Sequence, residues 1–196
     1  MFTGIVQAVG RIVRTNPLEI DSAGLDLAGV AVGDSICVQG VCLTVTATRP
    51  RGFTADVSAE TLRVTTGLER PGAVNLEKSL ALGGKIGGHL VTGHVDGVGE
   101  VVRFTPVHES WGLVVRAPRE LAKYFAYKGS VAVNGVSLTV NRVEDTPQGC
   151  ELSINIIPHT YEVTTLRALS PGARVNLEAD LIARYVERML SLERAV

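Results

Sequence analysis

His94, Lys128, Ser137 and Asp180 are the side chains best suited to proton transfer, nucleophilic attack and charge balance, and each one interrupts an internal repeat. Against matching stretches of the first half they stand over Ile5, Gly33, Cys42 and Ser79. A neutral imidazole titrates near working pH. A thiol or hydroxyl becomes a nucleophile once a base or a lowered pKa activates it, and fixed charges stabilise charge that develops during reaction. Thr3/Thr92, Thr44/Thr139 and Thr61/Thr160 are common to both copies. Two similar pockets with unequal chemistry suit a reaction that binds two related molecules and treats them differently.

Each residue taken alone has a structural alternative. A single His on a barrel can serve as a hydrogen-bonded framework residue. Cys42 can be a small buried hydrophobe. Ser137 and the threonines fit ordinary strand positions, Lys128 a solvated surface, and Asp180 the N-cap of a following helix. His89 precedes His94 by five residues, which on one strand puts the two rings on opposite faces; a two-His metal site is not expected and His89 is assigned to structure.

The elements that must position these residues come from a tandem duplication. Thr92-Gly93-His94-Val95-Asp96-Gly97-Val98-Gly99 lies over Thr3-Gly4-Ile5-Val6-Gln7-Ala8-Val9-Gly10 at an offset of 89, and the offset grows to 101 at Val74-Asn75-Leu76-Glu77 and Val175-Asn176-Leu177-Glu178. Slow growth of the offset means shared elements with loops that differ by a residue or a few. Within each copy the apolar period is two, with Gly, Pro, Asn and Asp between short β-branched runs, so the chain reads as all-β. Around Gln39-Gly40 and Asn134-Gly135 the inward parity flips, through either a tight hairpin turn or a glycine bulge. Cys42 and Thr44, like Ser137 and Thr139, then face opposite to the aliphatic row and form a small polar strip. Short strands in under about 100 residues suggest a small closed barrel per copy. Pro118 to Tyr124 reads as a short helix. A tail helix from about Asp180 carries Ile182, Tyr185, Met189, Leu192 and Val196 as a stripe that needs a partner surface, on another copy or on the barrels. Glu77 to Val91, with four glycines, reads as the linker. The domains expected are 1–88 and 89–180, followed by the helix 181–196.

Composition narrows the function. With 45% hydrophobic residues, 20% charged residues and a net charge of −1, the chain has no broad basic field for nucleic acid or an anionic membrane. The expected partner is a small molecule. Cys37, Cys42 and Cys150 form no C-x-x-C pair, which argues against a disulfide framework and a zinc site and fits a reducing, cytoplasmic setting. Met1-Phe2-Thr3-Gly4 lacks a basic signal-type start, and no apolar run approaches the roughly 18 residues of a membrane span, so export or anchoring is not expected.

Met1-Phe2-Thr3-Gly4-Ile5-Val6-Gln7, Gln39 to Val45, Ile86 to His94 and Asn134 to Val140 together closely resemble the riboflavin synthase alpha-chain family, in order and over essentially the whole chain. The resemblance implies two six-stranded Greek-key barrels, each binding one 6,7-dimethyl-8-ribityllumazine, and a C-terminal helix that assembles a homotrimer with active sites between subunits. The reaction implied is a dismutation without cofactor or metal, in which one lumazine gives a four-carbon unit to the other, forming riboflavin and 5-amino-6-ribitylamino-uracil. A non-catalytic lumazine or flavin binder is the competing class; it could dispense with His94, Lys128, Ser137 and Asp180.

By the family pattern the first pocket is lined by Gly4-Ile5-Val6, Cys42-Leu43-Thr44 and Asp56-Val57-Ser58-Ala59-Glu60-Thr61. The second is lined by Gly93-His94-Val95, Lys128, Ser137-Leu138-Thr139 and Asn155-Ile156-Ile157-Pro158-His159-Thr160. His94 is the candidate for proton transfer at the acidic 7-methyl group, Cys42 or Ser137 for nucleophilic help at C7, and Thr139, Lys128 and Asp180 for positioning and charge balance. One departure stands out: the family's first Asn-Gly is Gln39-Gly40 here, which keeps the turn and leaves a polar contact near the first pocket open.

Overall fold

In this computed structural model, which describes residues 1–193, the duplication becomes two closed antiparallel barrels. The first contains β1 (Ala8–Thr15), β2 (Leu18–Asp21), β3 (Ser35–Val38), β4 (Val41–Arg49), β5 (Gly52–Ala55) and β6 (Gly72–Lys78), in the order β1-β2-β5-β4-β3-β6. The second repeats that order with β7 (Gly97–Val107), β8 (Ser110–Ala117), β9 (Ser130–Val133), β10 (Val136–Thr146), β11 (Gly149–Ile156) and β12 (Arg174–Ala179). Three hairpin-linked strands, β3 to β5, with β2 returning beside β5, make the Greek key. Closure removes free sheet edges.

Alternation fills each barrel. On β4, Val41, Leu43 and Val45 are buried while Cys42 is half-buried and Thr44 exposed; on β10, Val136, Leu138 and Val140 are buried, Ser137 half-buried and Thr139 exposed. The polar strips therefore lie where the period of two puts them. The parity flip is a two-residue turn in both copies: Gln39 and Gly40 have φ of 52° and 88°, Asn134 and Gly135 of 50° and 81°. Two successive left-handed residues match the twist of flanking strands.

Short helices join the strands. α1 (Ala59–Val64) follows β5, capped by Ser58, whose side chain accepts from Thr61 N, and α2 (Pro158–Val163) follows β11 with Pro158 in its first turn. The helix expected from Pro118 is a single 3-10 segment, Arg119–Tyr124, with Pro118 just outside it. α3 (Leu181–Glu193) is the tail helix, and Glu187 ties it to Lys123 at 3.1 Å. Ile182, Tyr185, Met189 and Leu192 stay exposed, Tyr185 by 67% and Met189 by 69%. Val196, the last residue expected in the stripe, lies outside the described residues.

The barrels meet about a pseudo-twofold axis. Phe2 and Val91, equivalent in the repeat, form an antiparallel bridge, with Phe2 N donating to Val91 O at 2.7 Å and Val91 N to Phe2 O at 3.1 Å. They share a buried cluster with Cys37 and Ala132, another equivalent pair. From this bridge the leading segment of each copy crosses onto the other barrel. Ser137 N donates to Gly4 O and Cys42 N to Gly93 O, both at 2.8 Å, and Val6 packs on the core of the second barrel while Val95 packs on that of the first.

The crossing requires glycine twice. Gly4 and Gly93 both have φ of 76°, and a Cβ on Gly93 would come within 2.7 Å of Cys42 Cβ. Gly29 has nearly the same backbone, φ 77°, with open space around it. Gly29→Ala should therefore cost only the left-handed penalty, about 1–2 kcal/mol, whereas Gly93→Ala should cost a further 1–3 kcal/mol or so for overlap in a packed seam. Urea-unfolding midpoints of the two variants measure the difference; equal losses would refute the close approach.

Candidate functional site

Two buried carboxylates hang the crossing segments in place. Glu77 Oε1 accepts from Thr3 N at 2.7 Å and Thr3 Oγ1 at 2.9 Å, and its Oε2 from Gly4 N at 3.0 Å. Glu178 does the same for Thr92 N and Oγ1, both at 2.7 Å, and for Gly93 N at 2.9 Å. Burial raises both carboxyl groups above the usual range, opposed by these hydrogen bonds. Cys37 lies near both, and burial together with the two glutamates pushes its thiol well up, leaving it a structural residue.

Crossing changes which residues share a mouth. The family pattern groups Gly4-Ile5-Val6 with Cys42 and Gly93-His94-Val95 with Ser137, but the segments are exchanged. At the mouth of the first barrel Cys42 meets the segment Gly93-His94-Val95 with Thr44 on the same outward strip, and Asp56-Val57-Ser58 lead from the end of β5 into α1 with Ala59, Glu60 and Thr61. At the second, Ser137 meets the segment Gly4-Ile5-Val6 with Thr139 on the same outward strip, Asn155 lies near the end of β11, and Ile157 leads from β11 into α2 with His159 and Thr160. Leu43, Leu138 and Ile156 belong to the barrel cores, so their side chains face away from the strips.

His94 is exposed; its N–H donates to Thr92 Oγ1 at 3.3 Å and its carbonyl accepts from Arg184 at 2.9 Å. Lys128 sits at φ 64° where the first copy has Gly33 at 97°, an unusual backbone for a non-glycine residue and one that concentrates at functional positions. Its Nζ donates to Asn141 Oδ1 at 3.2 Å and lies 5.2 Å from the Tyr127 ring centroid. Asp180 caps α3, accepting from Ile182 N at 2.9 Å.

His89, assigned from its spacing to structure, is in contact with the second strip: its Nδ1 lies 2.7 Å from Ser137 Oγ. The ring is buried, its Nε2 has no hydrogen-bond partner among the described residues, and burial lowers its pKa, opposed by the charge of Asp180. With its proton on Nε2, such a neutral imidazole accepts the Ser137 hydroxyl proton. The premise of one strand through both histidines does not hold, because residues 79–96 form no strand beyond the Val91 bridge. The available signal was that Gly87-Gly88-His89 precedes the first matched residues of the repeat and has no counterpart in the first copy.

The mouths also differ in bulk. A groove of about 550 Å³ in the first barrel is lined by Asn16, Pro17, Asp56, Val57, Ala59 and Leu62 among others. In the second barrel Trp111 and Tyr161, the register equivalents of Asn16 and Leu62, stack with centroids 3.7 Å apart and planes within 1°.

Two closed barrels with exchanged leading segments and unequal polar mouths define a tandem small-molecule-binding protein, and the Lumazine binding domain family matches twice, over residues 3–79 and 92–180. Riboflavin synthase of Mycobacterium tuberculosis is 47% identical over 200 residues, spanning 97% of this chain and 98% of that protein; that of Photobacterium leiognathi is 40% identical over 206 residues, spanning 99% and 91%. LumP complexed with riboflavin superposes with a TM-score of 0.78 at 26% identity, covering 91% of this chain and 99% of LumP, and LumP complexed with 6,7-dimethyl-8-(1'-D-ribityl) lumazine with 0.76 at the same identity and coverage. The chain belongs to the riboflavin synthase family of lumazine-binding-domain proteins.

The depressed His89 pKa fixes a sign. In the unfolded chain the imidazole takes up a proton near pH 6.5; the folded protein binds it only at lower pH, so acid favours the unfolded state and stability from this group is lost as pH falls below about 6.5. The stability advantage of the wild type over His89→Gln should therefore shrink between pH 7.5 and 5.5. Urea midpoints at both values check it, and a difference independent of pH would mean that the ring is not held neutral.

Proposed function

We propose that the chain is a riboflavin synthase: it binds two molecules of 6,7-dimethyl-8-ribityllumazine, moves a four-carbon unit from one to the other, and releases riboflavin and 5-amino-6-(D-ribitylamino)uracil. The observation that carries the reading is full-length similarity to riboflavin synthases at 40–47% identity, joined to two equivalent scaffolds whose mouths carry different reactive groups. The atoms of two lumazines equal those of the two products, so the reaction consumes no co-substrate.

The 7-methyl of one lumazine is acidic because its carbanion is delocalised into the ring carbonyls. His94, at the first mouth beside Cys42, is the base for that proton. At the second mouth Ser137, with His89 taking its hydroxyl proton, is the better-supported group to assist addition at C7 of the other lumazine, because its hydroxyl lies 2.7 Å from the His89 ring nitrogen. Thr44, Thr139 and Lys128 orient the ligands at the rims, and Asp180 acts from the start of α3 through its charge on His89. Holding two lumazines in register converts a bimolecular step into an intramolecular one.

The assembly proposed is a homotrimer in the cytosol, in which the first mouth of one subunit faces the second mouth of the next. The exposed α3 stripe supports self-association, and three free cysteines suit a reducing compartment. LumP, which is similar in fold and complexed with riboflavin in one structure, keeps a binding-only role as the second reading.

Purified protein given the lumazine alone should produce riboflavin, read by its absorbance and fluorescence; tight binding without product would favour the binding-only reading. The inter-subunit site predicts complementation. Cys42→Ala and Ser137→Ala proteins, each impaired by roughly tenfold or more in kcat, should regain activity when refolded together, because about a quarter of interfaces then combine two intact mouths. Mixed oligomers confirmed by mass, with activity no higher than the average of the separate variants, would rule out a site between subunits.

A further inference from the structure

We propose that Arg184 of the tail helix is a positioning residue for His94, fixing the segment that carries the imidazole to the first mouth. This rests on the assignment of proton transfer to His94. One nitrogen of the guanidinium, Nη2, donates to the His94 carbonyl at 2.9 Å and to Asp96 Oδ2 at 2.8 Å, and lies 3.9 Å from Glu178 Oε1. His94 is thereby held on both sides, its N–H by Thr92 Oγ1 and its carbonyl by Arg184, while Glu178 holds Gly93 N just before it. Asp96 in turn accepts from Ala179 N at 2.7 Å, tying the far end of the segment to β12.

The first copy shows what this arrangement adds. There Gln7 replaces Asp96 and makes the same backbone bond, accepting from Lys78 N at 2.8 Å. A neutral amide is thus sufficient for the fold at this position. The register equivalent of Arg184 is Gly83, at φ 82°, and no helix follows. The Asp–Arg pair exists only in the copy whose crossing segment presents a histidine and is missing where that segment presents Ile5. Charge-assisted hydrogen bonds are the stronger and more directional ones, and displacement of a reacting group by about 1 Å can cost on the order of a hundredfold in rate. Because the same helix carries the exposed stripe Ile182, Tyr185, Met189 and Leu192, helix docking and the placement of His94 are mechanically one event.

The deciding variant is Arg184→Ala combined with Asp96→Gln, which removes the cation and gives the second copy the neutral amide that Gln7 supplies in the first. Arg184→Ala alone leaves the half-buried Asp96 without its cation and is expected to lose stability as well as rate. Asp96→Gln should restore the thermal midpoint. If Arg184 positions His94, kcat of the double variant stays at least about tenfold below wild type with the lumazine Kd, read by ligand fluorescence, within about twofold. In a His94→Ala background the addition of Arg184→Ala should change kcat by less than about twofold, since the group it positions is gone. Recovery of wild-type kcat in the double variant would make Arg184 only a neutraliser of Asp96 and overturn the proposal; multiplicative losses in the His94→Ala background would also overturn it. A wild type that binds lumazine without making riboflavin would instead overturn the functional reading, so the two failures are separable.

Discussion

The arrangement depends on two carboxylates buried beside the pseudo-twofold axis. Glu77 and Glu178 each accept three hydrogen bonds from the first residues of a copy, and charge-assisted bonds of this kind are each worth about 1.5–3 kcal/mol against an unsatisfied alternative. Desolvation still raises both carboxyl groups, so burying them is costly in itself. What the carboxylates secure is geometry: a left-handed glycine next to each threonine, its carbonyl turned to the opposite barrel, and a valine packed on that barrel's core. Without this hold Thr3, Gly4, Thr92 and Gly93 lose three hydrogen bonds per copy, and the Phe2–Val91 bridge and the bonds from Ser137 and Cys42 to the glycine carbonyls have to carry the crossing without them.

The far side of the seam is polar and equally paired. Asn75 Nδ2 donates to Asn134 O and Asn176 Nδ2 to Gln39 O, each at 2.9 Å. Gln39, the departure from the family pattern, accepts from Asn75 N at 2.9 Å, as Asn134 Oδ1 accepts from Asn176 N at 2.8 Å. The longer side chain reproduces the shorter one's bond, and its place is the barrel seam, so the contact left open by the sequence belongs to domain packing. Buried amides paired in this way specify one relative orientation of the barrels, because any slip strands several donors and acceptors at once.

Local patterns read well from the sequence, and contacts across the axis did not. The period of two placed Cys42, Thr44, Ser137 and Thr139 on outward strips, and the parity flip located two hairpin turns, since both follow from neighbours one or two residues apart. The repeat also implied two equal barrels. It misled at the mouths for the same reason: alignment assigns Gly4 to the first copy and Gly93 to the second, whereas hydrogen bonds to Ser137 and Cys42 carry each segment across. His89 escaped because periodicity describes strands, and its contact with Ser137 spans 48 residues through a stretch with no period. Arg184 was hidden within an amphipathic helix, where a charged residue ordinarily marks a solvated face.

Duplication by itself yields two equal pockets, and a dismutation needs unequal ones. The differences are small and local: an imidazole for Ile5, a hydroxyl for the Cys42 thiol, a left-handed lysine for Gly33, and a stacked Trp111–Tyr161 pair where the first barrel keeps a groove. None alters the strand order, because each lies on an outward position, a turn or a crossing segment and leaves the inward aliphatic rows untouched. The exchange of leading segments then gives these substitutions reach, since a change in one copy alters the mouth of the other. A histidine in the second copy therefore lies on the segment that crosses to the first barrel, and a serine in the second barrel meets a segment of the first, so a change in either copy is felt at the mouth of the other.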